Sequence, residues 1–107
     1  MTDDNNYLFI LTGLEPEHSI IKDICTGLEE EGIPYQVRKE ERNSIHLSYT
    51  AASLSIYKVG IGVSKEGNVM VHHEKLPYER PYLTGKANDG RKMGQNAARL
   101  VKGLVLK

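Results

Sequence analysis

The strongest constraint on this chain is a set of apolar runs that are too short to be helices. YLFIL at 7–11 is β-branched and aromatic and is followed at once by Thr12 and Gly13. It reads as a buried first strand, because a helix needs a longer periodic pattern to bury one face. VGIGV at 59–63 is a second such run, of central-strand type. VMVHH at 69–73 is a third, and the turn-like SKEGN at 64–68 joins the two into a hairpin. IPYQVRK at 33–39 is also strand-like.

Between these runs the apolar period changes. Ile20, Ile21, Ile24, Cys25 and Leu28 recur at helical spacing within EPEHSIIKDICTGLEEEG, one apolar stripe. Pro16 is placed in the first turn, with Glu15 and Glu17 at the positive end of the helix dipole and Gly32 as the stop. A short helix is expected over 48–57, capped by Ser48 or Thr50, after a polar connection at 40–45. Residues 75–84 carry two prolines and are expected to be extended, with an edge strand at 82–84. A last helix is expected over 88–103, capped by Asn88 or Asp89 and ended by Gly103. Its apolar face is Met93, Ala97, Leu100, Val101 and Leu104; its polar face is Arg91, Lys92, Gln95, Asn96, Arg99 and Lys102. Strands alternating with helices, plus one hairpin, give an α/β layered domain with a mixed sheet flanked by helices. With 107 residues, one domain over 1–107 is the expected organisation.

Composition limits the function classes. Fourteen basic and fourteen acidic residues leave no formal net charge, which argues against a dedicated nucleic-acid or membrane-surface protein. The single cysteine, Cys25, allows no disulfide within the chain and points to a reducing, cytosolic setting. No apolar run approaches the roughly 20 residues of a membrane span, and the acidic start lacks a secretory signal, so a soluble protein is expected.

Candidate sites are few. His72 and His73 are neighbours on a strand and point to opposite faces, so they cannot chelate one ion; one ring inward and one outward is the expected arrangement. GIG at 60–62 lacks the third glycine and following helix of a dinucleotide loop, so its glycines are read as allowing close packing. Cys25 sits on the apolar stripe and reads as a structural thiol. No nucleophile elbow or triad is marked.

The run EEEG is the exception. Glu29, Glu30 and Glu31 stand at the negative end of a helix dipole, where each exposed acid costs about 0.3–1 kcal/mol. At about 100° per residue, Glu30 points away from the Ile20–Ile24–Leu28 stripe, Glu29 lies on its flank, and Glu31 sits above it where the helix frays. Glu30 is the acid best aimed at a partner or a cation, against the plainer reading of a solvated charge cluster. The basic face of the last helix suggests an alternative function, a nucleic-acid-binding module; a third possibility is a small enzyme.

GLEEEGIPYQV and GQNAARLVKG, with VHHEKLP and VGIGV between them, resemble the small subunit of diol/glycerol dehydratase reactivase over about residues 7–104. The resemblance implies the fold of the dehydratase medium subunit, related to anticodon-binding-type domains. It implies a non-catalytic subunit, without a cofactor of its own, paired with a large ATPase subunit in a tetramer of two large and two small subunits. ATP and ADP are expected on the large subunit. The client is a coenzyme-B12-dependent diol or glycerol dehydratase holding damaged cobalamin, which the factor releases by swapping subunits. The resemblance also implies that Glu30 reaches a magnesium ion held mainly by the large subunit, at the interface. The expected location is the cytoplasm, with association with a bacterial microcompartment left open. Neither nucleic acid nor membrane is an expected partner.

Overall fold

The computed structural model describes residues 6–103. Among these the chain forms β1 (Leu8–Thr12), α1 (Ser19–Glu30), β2 (Tyr35–Lys39), α2 (Ser44–Leu54), β3 (Val59–Val63), β4 (Val69–His73), β5 (Leu83–Gly85) and α3 (Gly90–Lys102). The strands form one mixed sheet in the order β2-β1-β3-β4-β5. β1 is parallel to β2 and to β3, while β3–β4 and β4–β5 are antiparallel. The expected hairpin and the expected α/β class are both present.

The chain steps one way from β1 to β2 and the other way from β2 to β3. Right-handed crossovers then require α1 and α2 on opposite faces of the sheet. Side-chain alternation along the strands shows that they are. Leu8 and Ile10 face α1 and α3, in a core with Ile21, Ile24, Leu28, Ile61, Val63 and Val71. Phe9 and Leu11 face the other way, against Leu47 and Ala51 of α2.

The glycines of VGIGV follow the same alternation. Val59, Ile61 and Val63 enter the larger core, and Gly60 and Gly62 lie under α2. A Cβ at Gly60 would stand 2.1 Å from the backbone N of Ala52, and one at Gly62 2.3 Å from that of Ser48. The strand is flat here so that a helix can rest directly on it.

Several boundaries differ from the sequence reading. α1 begins at Ser19, and Pro16 instead occupies a turn closed by the His18 N–H donating to Glu15 O at 2.9 Å. His18 caps the helix, its Nδ1 accepting from the Ile20 N–H. α2 begins at Ser44 rather than at 48, because Asn43 caps it, its Oδ1 accepting from the His46 N–H at 2.8 Å. Neither Ser48 nor Thr50 is the cap. α3 begins at Gly90, after a short 3-10 turn over Ala87–Asp89, and Asp89 accepts from the Lys86 N–H rather than from the helix. Gly103 ends α3 in the left-handed conformation, as expected. β5 is an edge strand one residue later than expected. Leu104 lies outside the described residues.

Candidate functional site

α1 and α3 pack side by side and run in the same direction. Ile20 and Asp23 meet Gly90, while Ile24 and Leu28 meet Gly94. Glycine makes the contact close: a Cβ at Gly27 would fall 2.2 Å from Arg91 O, and one at Gly94 2.2 Å from Ile24 O. The two helices touch backbone to backbone, so their flanking side chains meet, and both C-terminal ends lie on one side of the molecule.

The end of α1 is well ordered rather than frayed. Gly32 takes a positive φ of 75°. Its N–H donates to Glu29 O at 3.1 Å, and the Ile33 N–H donates to Leu28 O at 3.1 Å. This is a Schellman ending, and the apolar contact that accompanies it is present, with Leu28 and Ile33 both in the larger core.

Each of the three acids has its own answer to the dipole. Glu29 accepts from the Tyr35 hydroxyl across to β2. Glu30 is bracketed by α3: Arg91 donates from Nε to Oε1 at 2.9 Å and from Nη2 to Oε2, and Gln95 donates to Oε1 at 2.8 Å. Glu31 meets Arg99 Nη2 at 3.4 Å and Lys102 Nζ at 3.3 Å. Those two cations also suit the last turn of α3, where the dipole favours positive charge.

The acids differ in enclosure. The Glu30 side chain keeps 35% of its surface open and Glu31 only 13%. Glu30 is therefore the more accessible of these two, as the helical count expects, though it is already held. Glu31 is not at a frayed end; the turn tucks it beneath two cations. The polar face of α3 is also not a free basic face. Arg91, Gln95, Arg99 and Lys102 point to α1, and Asn96 is buried. The contact with α1 widens the covered side of α3 beyond its apolar stripe. This internal pairing removes much of the electrostatic footprint a nucleic-acid reading needs.

Titration behaviour follows this geometry. The hydrogen bond to Glu30, then its charge, raises the Arg91 pKa further. Burial, then the bond to Glu29, pushes the Tyr35 hydroxyl well above its usual range. Burial also raises the Cys25 thiol, which is half-buried on the flank of α1 beside Tyr35.

Histidine plays structural roles. His72 is fully buried, its Nε2 2.9 Å from Tyr78 O, its Nδ1 accepting from the His73 N–H at 2.9 Å, and its ring edge-on to Tyr49. His73 lies on the other face and accepts from the Lys75 N–H. Among the described residues no group of three or more His, Cys, Asp or Glu could hold a metal ion. Glu30 suits a hard cation such as magnesium as one ligand among several, the rest coming from elsewhere.

A concave feature elsewhere on the molecule was not expected from the sequence. An open cleft of about 280 Å³ lies past the carboxyl ends of β1 and β3, lined by Gly13, Glu41, Arg42, Asn43, Lys65 and Glu66. It balances two acids against two bases. Arg91 and Gln95 as partners of Glu30 were also missed. The signal available was glycine spacing: Gly90 and Gly94, one turn apart, mark the side of α3 that meets another helix.

Comparison with known proteins gives this arrangement a family. The family model for the dehydratase medium subunit matches residues 7–107. The propanediol dehydratase-reactivating factor small subunit of Citrobacter freundii is 41% identical over 87 residues, covering 77% of this chain and 74% of its own. The propanediol dehydratase-reactivating factor small subunit of Salmonella typhimurium is 32% identical over 100 residues, covering 89% of this chain and 85% of its own. Among solved structures, a glycerol dehydratase reactivase chain superposes with a TM-score of 0.87 at 32% identity, covering 94% of this chain and 96% of that one. A diol dehydratase-reactivating factor complexed with ADP and Mg2+ superposes with a TM-score of 0.82 at 28% identity, over the same shares. The chain belongs to the dehydratase medium subunit family, and within it to the small subunits of dehydratase-reactivating factors.

Proposed function

We propose that this chain is the non-catalytic small subunit of a factor that restores a coenzyme-B12-dependent diol or glycerol dehydratase. The observation that carries the reading is the superposition with a glycerol dehydratase reactivase chain over 94% of this chain and 96% of that one. Such full-length correspondence favours the same working unit rather than a shared fragment. In this reading the domain spans 1–107 and carries no chemistry of its own. Its partner is a large ATPase subunit, two large with two small, and nucleotide on that subunit controls the cycle.

The proposed action is exchange. The small subunit leaves the large one, the dehydratase's medium subunit takes its place, and the opened dehydratase releases damaged cobalamin. Membership in the medium subunit family supports this, since two proteins of one fold can compete for one surface.

Glu30 is the proposed link to the large subunit. Its carboxylate stands at the accessible rim of the α1–α3 pair and would add one oxygen ligand to a magnesium ion held chiefly by the partner. A bound magnesium ion would add positive charge at the end of α1, beside the Arg91, Arg99 and Lys102 that already meet its acids. Glu29 and Glu31 would add negative potential nearby.

The direct test is reconstitution. Dehydratase inactivated by substrate turnover is mixed with the large subunit, ATP, magnesium and intact coenzyme, with or without this chain. Recovery of dehydratase activity that requires the chain is expected. Equal recovery from the large subunit alone would overturn the proposal.

A further inference from the structure

We infer that Arg91 sets how readily Glu30 accepts a partner's cation, by occupying that carboxylate in the unbound subunit. The inference rests on reading Glu30 as the partner-facing acid. Both Glu30 oxygens are engaged: Oε1 by Arg91 Nε at 2.9 Å and Gln95 Nε2 at 2.8 Å, and Oε2 by Arg91 Nη2. These are the atoms a divalent cation would need. A guanidinium placed on them competes for the same lone pairs, and it repels an incoming cation as a like charge.

The position of Arg91 is not accidental. Its carbonyl oxygen is the atom a Cβ on Gly27 would strike, at 2.2 Å. The close helix contact therefore fixes the Arg91 backbone one turn from Glu30, within reach of a long side chain. The Arg91 side chain is itself 63% exposed, so most of it already faces solvent and little packing opposes its release. Glu31 offers no such exchange, being enclosed at 13% exposure beneath Arg99 and Lys102. The two neighbouring acids thus divide: Glu31 fastens α1 to α3, and Glu30 is held by a group that can let go.

An exposed ion pair is screened by solvent, which suits a contact meant to be displaced. Its removal should change affinity by about 1.5- to 5-fold. The test is calorimetric binding of the full chain to the large subunit, with ADP, in magnesium and again in EDTA. Arg91→Ala should bind about 1.5- to 5-fold tighter than wild type in magnesium. It should show no gain in EDTA, and none in a Glu30→Gln background. Lys92→Ala, the same charge change on the next residue, should be unchanged. If Glu30→Gln weakens binding but Arg91→Ala binds as wild type or weaker, Arg91 is not a competitor and the inference fails alone. If Glu30→Gln binds as wild type, the reading of Glu30 fails and takes the inference with it.

Discussion

The two faces of the sheet are held in different ways. On one, α1 and α3 cover a deep apolar core built from every strand except the β2 and β5 edges, where Tyr35, Val37 and Leu83 only pack against it. On the other, α2 lies almost directly on the backbone of Gly60 and Gly62, over a small cluster of Phe9, Leu11, Leu47 and Ala51. The first face is stabilised by apolar mass and the second by closeness of fit. The charged rim lies on the first face, above the deeper core. That placement would let Glu30 and Arg91 exchange partners, as proposed, without endangering the fold, because buried apolar area supplies most of the stability there.

The largest expected effect probes the massive face. Ile24 is fully buried between the sheet and α3. Ile24→Ala should cost about 2–5 kcal/mol in urea denaturation, through lost burial and the cavity left behind. The α2 face should be most sensitive to the opposite change, enlargement. Gly60→Ala places a methyl 2.1 Å from the Ala52 backbone, and helix or strand must shift. The expected cost is about 1–3 kcal/mol by the same measurement. If Gly60→Ala were harmless, α2 would not rest on the strand as described, and the contrast between the faces would collapse.

A smaller effect concerns the flank of α1. Burial raises the Cys25 pKa. A group whose folded pKa is raised stabilises the fold fully below its unfolded pKa, and that contribution is lost as pH rises through the folded value. Native Cys25 should therefore react with a thiol reagent more slowly than the urea-unfolded chain at the same mildly alkaline pH, followed by absorbance. Equal rates would place Cys25 outside the packed flank.

Much of this was legible from local pattern. β1, β3 and β4 each centre on a short apolar run, too brief for a helix and bounded by turn residues. The alternation of glycine with valine and isoleucine in β3 marked a close approach, though not which helix made it. α2 was misplaced by several residues because its buried side is largely serine and alanine: Ser44, Leu47, Ser48, Ala51 and Ala52. Such a helix shows little apolar contrast, and its true start is the cap at Asn43. The candidate site was half legible. The helical count singled out Glu30 as outward, because that depends on one helix only. Its pairing with Arg91, 61 residues away, depends on how two helices dock. The count placed Glu31 above the apolar stripe, and there it is enclosed; the expected fraying is absent because the turn at Gly32 and Ile33 closes that end.

In the proposal made above, the acid run divides into a fastening residue, Glu31, and a partner-facing one, Glu30. The most direct measurement sets Glu30→Gln beside Glu31→Gln, each assayed for urea stability and for magnesium-dependent binding to the large subunit. Glu30→Gln should lose no more than about 1 kcal/mol of stability, as an exposed pair does. Its binding should weaken about tenfold or more, as loss of groups around a metal does. Glu31→Gln should show the larger stability loss of the two and near-normal binding once folded. Equal binding by both variants, or a binding loss confined to Glu31→Gln, would overturn that division of roles.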